Sequence, residues 1–125
     1  MNENEISFLI RKGIFNVYNA LGPGLLESVY INALVFELQQ LGLLVRTEVP
    51  IPLIYKGIKF EAGFRADIIV NNLVIIEVKS IETLAEVHHK QVLTYLRLSG
   101  LNLGILVNFN TVSITESIFR NVNQL

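Results

Sequence analysis

From Glu5 to Leu21, apolar residues fall at Ile6, Leu9, Ile10, Ile14, Val17, Tyr18 and Leu21, the 3.6-residue period of an amphipathic helix. Gly22-Pro23-Gly24 ends that pattern. A second helix is predicted from about Leu25 to Leu41, with Leu26, Val29, Tyr30, Ala33, Leu34, Phe36 and Leu38 inside and Gly42 at its C-terminus. The two form a helical hairpin. From Leu43 the period shortens and β-branched and aromatic residues dominate up to Val70, with a turn signal at Lys56-Gly57 between two extended halves. Pro50 and Pro52 confine the first half to an edge or irregular strand, because proline has no N–H to give to a ladder.

The runs "DIIV" at 67–70 and "LVIIEV" at 73–78 are apolar on successive positions, the mark of central strands covered on both faces. Helices must then lie on each side. A third helix is predicted from about Leu84 to Leu98, then Gly100 and a strand at 103–109, and the tail from Thr111 to Leu125 adds at most a short edge strand. Helix, helix, three strands, helix and strand give an α/β chain of the α+β type, a mixed sheet between helical layers. At 125 residues the simplest division is one domain, 1–125, with one core.

Composition narrows the chemistry. The chain is 51% hydrophobic with a mean hydropathy of +0.48, yet polar residues interrupt every apolar run before the ~18 residues a membrane span needs. The opening "MNENEISF" has acids and amides where a secretory signal has a basic start and a clean apolar segment, so a mature cytoplasmic chain is expected. There is no cysteine, which removes disulfides, thiolate metal sites and cysteine nucleophiles and suits a reducing compartment. A metal must bind through oxygen or histidine nitrogen. A net charge of -1 argues against holding nucleic acid by bulk electrostatics, so any phosphate contact is local.

Three charged residues break the apolar ribbon: Asp67 in one strand, Glu77 and Lys79 in the next. Glu77 and Lys79 are two apart and leave one face of their strand. Whether Asp67 joins them depends on the turn. A two-residue loop, Asn71-Asn72, sets Asp67 opposite Ile76 and on the wrong face. A three-residue loop, Asn71-Asn72-Leu73, pairs Val70 with Val74 and sets Asp67 across from Glu77, and asparagine tolerates the left-handed conformation it needs. The odd-length loop is the prediction. It leaves two carboxylates about 5 Å apart. Their repulsion, about 4 kcal/mol at ~4 Å and an effective dielectric near 20, calls for a cation or a shared proton. Two carboxylates, a backbone carbonyl and waters describe a Mg2+ or Mn2+ site, with Lys79 beside it to orient or deprotonate a water. A structural acid–lysine pair at a strand end carries equal weight on spacing alone.

Asp67, nine intervening residues and Glu77-Val78-Lys79 resemble the signature of the PD-(D/E)XK nuclease superfamily, with Ala66 in place of the usual preceding proline. "GLLESVY" at 24–30 resembles the namesake motif of the GxxExxY protein family of that superfamily, and the likeness continues through "YKG", "RAD", "EVKS", "QVLTYLRLSG" and "GILVNF". The resemblance implies a restriction-endonuclease-like αβββαβ core with an extra N-terminal helix and a central sheet flanked by helices. It implies Asp67, Glu77, the Val78 carbonyl and Glu27 as metal ligands for Mg2+ or Mn2+. It further implies Lys79 as the catalytic lysine, with Gln91 and Tyr95 supporting it, in a nuclease acting on DNA.

The residues alone say less about the supporting set. Glu27 and Tyr30 are one turn apart, so Glu27 can face the ion directly or through water while Tyr30 packs beneath it, or it is a solvated helix-face acid. Gln91 and Tyr95 share a helix face with His88 and either position a phosphate or Lys79 or simply pack. His88 and His89 point in different directions and are read as structural. Arg65, Lys59 and Lys90 are candidates for a phosphate approach; Arg11, Lys12, Arg97 and Arg120 are read as solvated charges. Two functions follow: a metal-dependent phosphodiesterase, or a non-catalytic nucleic-acid-binding or protein-interaction module that keeps the fold. A homodimer would supply surface that so small a chain lacks.

Overall fold

A computed structural model describes residues 1–61 and 63–124. Its elements are α1 (Glu3–Leu21), α2 (Glu27–Gln40), β1 (Val45–Pro50), β2 (Leu53–Tyr55), β3 (Ile58–Phe60), β4 (Arg65–Val70), β5 (Val74–Lys79), α3 (Glu86–Ser99), β6 (Leu103–Asn108) and β7 (Ile118–Val122). A short 3-10 turn, Ile114–Ser117, leads into β7. Asn2 starts α1 with a reciprocal cap: the Glu5 N–H donates to the Asn2 side chain at 2.9 Å and the Asn2 N–H to the Glu5 carboxylate at 3.2 Å. Gly22, at φ 67, ends it.

Five strands form one sheet in the order β1-β4-β5-β6-β7, in which only β5 and β6 run parallel, joined by the α3 crossover. α1 and α2 cover one face through Ile6, Ile10, Ile14, Tyr30, Leu34 and Leu38 against Ile68, Val70, Val74, Ile76 and Val78. α3 covers the other through Val92, Tyr95 and Leu96 against Ile69, Ile75 and Leu106. Two glycines allow the close approaches. A Cβ on Gly13 would sit 3.0 Å from Leu38 of α2, and one on Gly104 of β6 would sit 2.5 Å from Val92 of α3. Apolar successive positions in β4 and β5 therefore mean what they were expected to mean, two covered faces.

Two expectations need correction. Leu26, which precedes α2, and Val29 and Phe36 within it do not face the core but are 73%, 40% and 60% exposed. α2 is apolar around most of its circumference, so periodicity alone does not select the buried stripe, and α1 and the sheet take Tyr30, Leu34 and Leu38. The extended stretch 43–70 is also more divided than its two halves suggested. Ile51 still donates its N–H to the Phe64 carbonyl at 2.8 Å, but Pro52 has no N–H to give. The chain leaves the sheet there, forms a separate β2–β3 hairpin around Lys56 (φ 50) and Gly57 (φ 76), and returns as β4.

Candidate metal and phosphate site where two strands separate

β4 and β5 pair as Val70↔Val74, Ile69↔Ile75 and Ile68↔Ile76 around the loop Asn71-Asn72-Leu73, with Asn71 and Asn72 at φ 51 and 55. That is the odd-length loop, and it sets Asp67 against Glu77. Backbone pairing stops one step earlier, at Ile68↔Ile76. Beyond it the Asp67 N–H donates to Glu77 Oε2 at 2.7 Å and the Val78 N–H donates to Asp67 Oδ2 at 2.8 Å. Side-chain carboxylates thus take the places that backbone carbonyls hold in a ladder, and the strands part around them.

The neighbouring strand contributes to this break. Thr47 pairs with Ile68 and Val49 with Ala66, but Glu48 and Asp67 between them do not pair, and Glu48 is at φ 48. Ala66 and Ile69, three apart, lie in the same α3-side cluster, whereas strict alternation would put them on opposite faces. β4 therefore twists at Asp67. A left-handed glutamate carries no sequence signal, and Glu48 was missed for that reason.

Glu77 is 3% exposed, and its pKa is raised to about 8, first by burial and then by the Asp67 charge, against which the Asp67 N–H and Lys79 act too weakly. Asp67 is pushed the same way by burial, opposed by the Val78 N–H and Lys79 and reinforced by Glu27 and Glu48. Lys79 continues the row of Ile75 and Glu77 on the α3 face. Among the described residues the only salt bridge is the exposed Lys90–Glu86 pair, so Lys79 has no carboxylate within 4.0 Å.

Lys79 lines a cleft of about 520 Å³ with Phe64, His88, Gln91, Thr94 and Tyr95. Gln91 Nε2 donates to the Tyr95 hydroxyl at 3.1 Å, and burial together with the Glu77 charge raises the Tyr95 pKa. His88 caps the first turn of α3, its Nδ1 accepting the Ala85 N–H at 2.9 Å, while His89 meets Phe119 edge-on at 4.9 Å. Both histidines thus have structural roles.

The 24–30 motif is explained by what Tyr30 holds. Its ring stacks on Phe109 at 4.4 Å, its hydroxyl donates to the Gly22 carbonyl at 2.5 Å and accepts the Leu25 N–H at 3.1 Å. The loop before α2 is thereby fixed. Ser80 ties the same loop to the end of β5, its hydroxyl donating to the Leu25 carbonyl at 2.5 Å while its N–H donates to Glu27 Oε2 at 3.3 Å. Glu27 thus stands at the first turn of α2 beside the β5 exit, close enough to raise both acids' pKa values but bonded to Ser80 rather than placed between them. Asn108, 5% exposed, clamps the same exit by exchanging two side-chain bonds with the Ile81 backbone. Neither Ser80 nor Asn108 stood out in the sequence. A small polar residue straight after the acid-x-lysine, and an asparagine closing the apolar run of β6, were the available signals.

Among the described residues no group of three His, Asp or Glu is already gathered tightly enough to cage an ion. The donors nevertheless suit a hard cation. Asp67 and Glu77 offer only oxygen. In a strand the N–H and C=O of one residue leave on the same side, so the Val78 carbonyl points, like its N–H, into the gap that Asp67 occupies. Desolvation raises the pKa of both acids, and at Glu77 the neighbouring Asp67 charge adds to it.

A mixed sheet flanked by helices, with facing acids where two central strands part and a lysine two residues on, is a restriction-endonuclease-like arrangement. The family model of the PD-(D/E)XK nuclease superfamily matches residues 4–121, and the chain belongs to that superfamily. Its nucleases generally use divalent metals. No curated protein and no solved structure matches the chain. No helix of the described residues is long and apolar enough to cross a membrane.

Proposed function

We propose that the chain is a metal-dependent phosphodiesterase that hydrolyses nucleic acid, DNA in the first place, with Mg2+ or Mn2+ held by Asp67, Glu77 and the Val78 carbonyl. The observation that carries this reading is the replacement of a ladder step by the two facing carboxylates, with a lysine on the same face that has no salt-bridge partner among the described residues. Burying such a pair costs stability unless a cation or proton is shared, and Lys79 offsets that cost only in part. When bound, the ion supplies charge for the scissile phosphate and lowers the pKa of a water.

This chain's own groups do the rest. The Lys79 ammonium stabilises the charge that develops on the phosphate or steadies the attacking water. Because Gln91 Nε2 already donates to the Tyr95 oxygen, the Tyr95 hydroxyl hydrogen is left to donate towards a phosphate oxygen in the cleft. Glu27 adds negative charge at the rim and draws the cation to the acids, directly or through water. The "GLLESVY" motif supports membership of the GxxExxY group within the superfamily.

The test is cleavage of a panel of DNA and RNA, single- and double-stranded, with Mg2+ or Mn2+. Cleavage that disappears in Glu77→Gln and Lys79→Ala supports the enzyme. A wild type that cleaves nothing and shows no thermal shift with either ion leaves the non-catalytic module, which the net charge of -1 favours.

A further inference from the structure

The β2–β3 hairpin stands outside the main sheet, and its chemistry is unlike the rest of the surface. Its cross-strand pairs are Leu53↔Phe60, Ile54↔Lys59 and Tyr55↔Ile58, so Leu53, Tyr55, Ile58 and Phe60 share one face and Ile54 and Lys59 the other. On the first face Tyr55, Ile58 and Phe60 are 57%, 58% and 45% exposed. A two-stranded ribbon of three-residue strands that leaves its apolar face in water is marginal by itself, so the face is built for an occupant. Charge says which kind. Residues 53–65 carry Lys56, Lys59 and Arg65 against Glu61, a net +2 in a chain of net -1, so the remainder carries -3.

The hairpin also leads to the candidate site. Lys59 and Arg65, against one acid, Glu61, line a groove of about 350 Å³ at its base with Pro50, Ile51, Pro52 and Phe64, and Phe64 also lines the Lys79 cleft. Arg65 lies two residues before Asp67 on β4. A strand held in the groove therefore passes from basic side chains, across Phe64, to the Lys79 cleft without leaving the surface.

We infer that the β2–β3 hairpin grips nucleic acid with unpaired bases: Lys59 and Arg65 take successive phosphates, and the Tyr55–Ile58–Phe60 face takes the bases. The inference rests on the reading that the chain acts on nucleic acid, and it narrows the substrate to single strands or frayed and flapped ends. A duplex offers this surface little. Its bases are already stacked, its outside is phosphate, and three basic residues neutralise too few phosphates to hold it at physiological salt. Unpaired bases present π-faces that stack on aromatic side chains whatever their sequence. The tip suits that use, because a turn with Lys56 and Gly57 both at positive φ matches the twist of the two strands, and Lys56 Nζ stands 5.4 Å from the Tyr55 ring centroid.

The experiment is fluorescence anisotropy in Ca2+, chosen so that binding is read without turnover. The probe is a labelled mixed-sequence oligodeoxynucleotide, alone and annealed to its complement. The wild type should bind the single strand more tightly than the duplex, with log K falling against log salt at a slope of about -1.4, as two phosphate contacts on a single strand require. Tyr55→Ala and Phe60→Ala should each weaken single-strand binding at least about fivefold, and Tyr55→Phe should restore it. Lys59→Ala should flatten the salt slope instead. Equal affinity for duplex and single strand, or Tyr55→Ala and Phe60→Ala variants that bind like the wild type, would overturn the inference. So would a wild type that binds neither probe, or an apolar face found closed in a dimer that Phe60→Ala converts to monomer on sizing. Failure here is separable from failure of the catalytic reading. Hairpin-dependent binding without Mg2+ cleavage leaves the hairpin inference standing alone, whereas cleavage that ignores the hairpin variants leaves the catalytic reading standing alone.

Discussion

The two ends of the β4–β5 ribbon are built by opposite rules. At the closed end Val70 and Val74 pair through the backbone around the Asn71–Leu73 loop, and the strand side chains from Ile68 to Val70 and from Val74 to Ile76 are all apolar and buried. At the open end the ladder stops after Ile68↔Ile76, and carboxylates stand in for carbonyls. The closed end gives register and stability. The open end inherits that register and spends it on placing two like charges side by side, an arrangement the rest of the sheet must hold in place.

Separate variants should therefore damage the two ends separately. Ile76→Ala, at the last paired step and fully buried, should destabilise the fold by about 2–5 kcal/mol in chemical denaturation, leaving cleavage per folded molecule nearly unchanged. Lys79→Ala should do the reverse. It removes a charge that has no salt-bridge partner among the described residues, so the melting temperature should change little while turnover falls about 10²–10³-fold, the usual effect of removing one transition-state donor.

Tyr30→Phe sharpens the comparison between the strands and the helix that faces them. Losing the hydroxyl leaves the Gly22 carbonyl and Leu25 N–H without their partner, at a cost of about 1–3 kcal/mol. Because that loop carries Glu27, activity should drop as well, and Ser80→Ala should reproduce part of the activity loss. Asn72→Ala, at φ 55, should cost about 1 kcal/mol through the left-handed backbone alone and leave cleavage unaltered.

Much of this was legible in the sequence, for identifiable reasons. The odd loop followed from asking which turn puts Asp67 on the face of Glu77 and Lys79, and two asparagines supplied residues that tolerate it. The doubly covered centre of the sheet followed from "DIIV" and "LVIIEV". What stayed hidden depended on contacts between distant segments. Glu48 enters a left-handed conformation because of how β1 crosses Asp67, not because it is a glutamate. Tyr30 looked like a residue packed beneath Glu27, but its work is to hold the Gly22–Leu25 loop, which only Phe109 and Ser80 make visible. Phe36 and Leu26 were assigned to the core because a helix apolar on most sides leaves its buried stripe to tertiary packing.

The acid pair also sets a pH dependence with a definite sign. In the unfolded chain Glu77 releases its proton near 4.5, and in the fold, without an ion, only near 8. Between those values the folded state binds more protons, so in chelator stability should fall as pH rises across that window, and Glu77→Gln should flatten the fall. The most direct measurement is calorimetric titration of Mn2+ into the wild type and into Asp67→Asn and Glu77→Gln at the alkaline end of the window. Saturable binding to the wild type with proton release, lost in both variants, is the result the account requires. Binding that survives both substitutions, or a wild type that takes up no ion while both acids keep their raised pKa values, would contradict it.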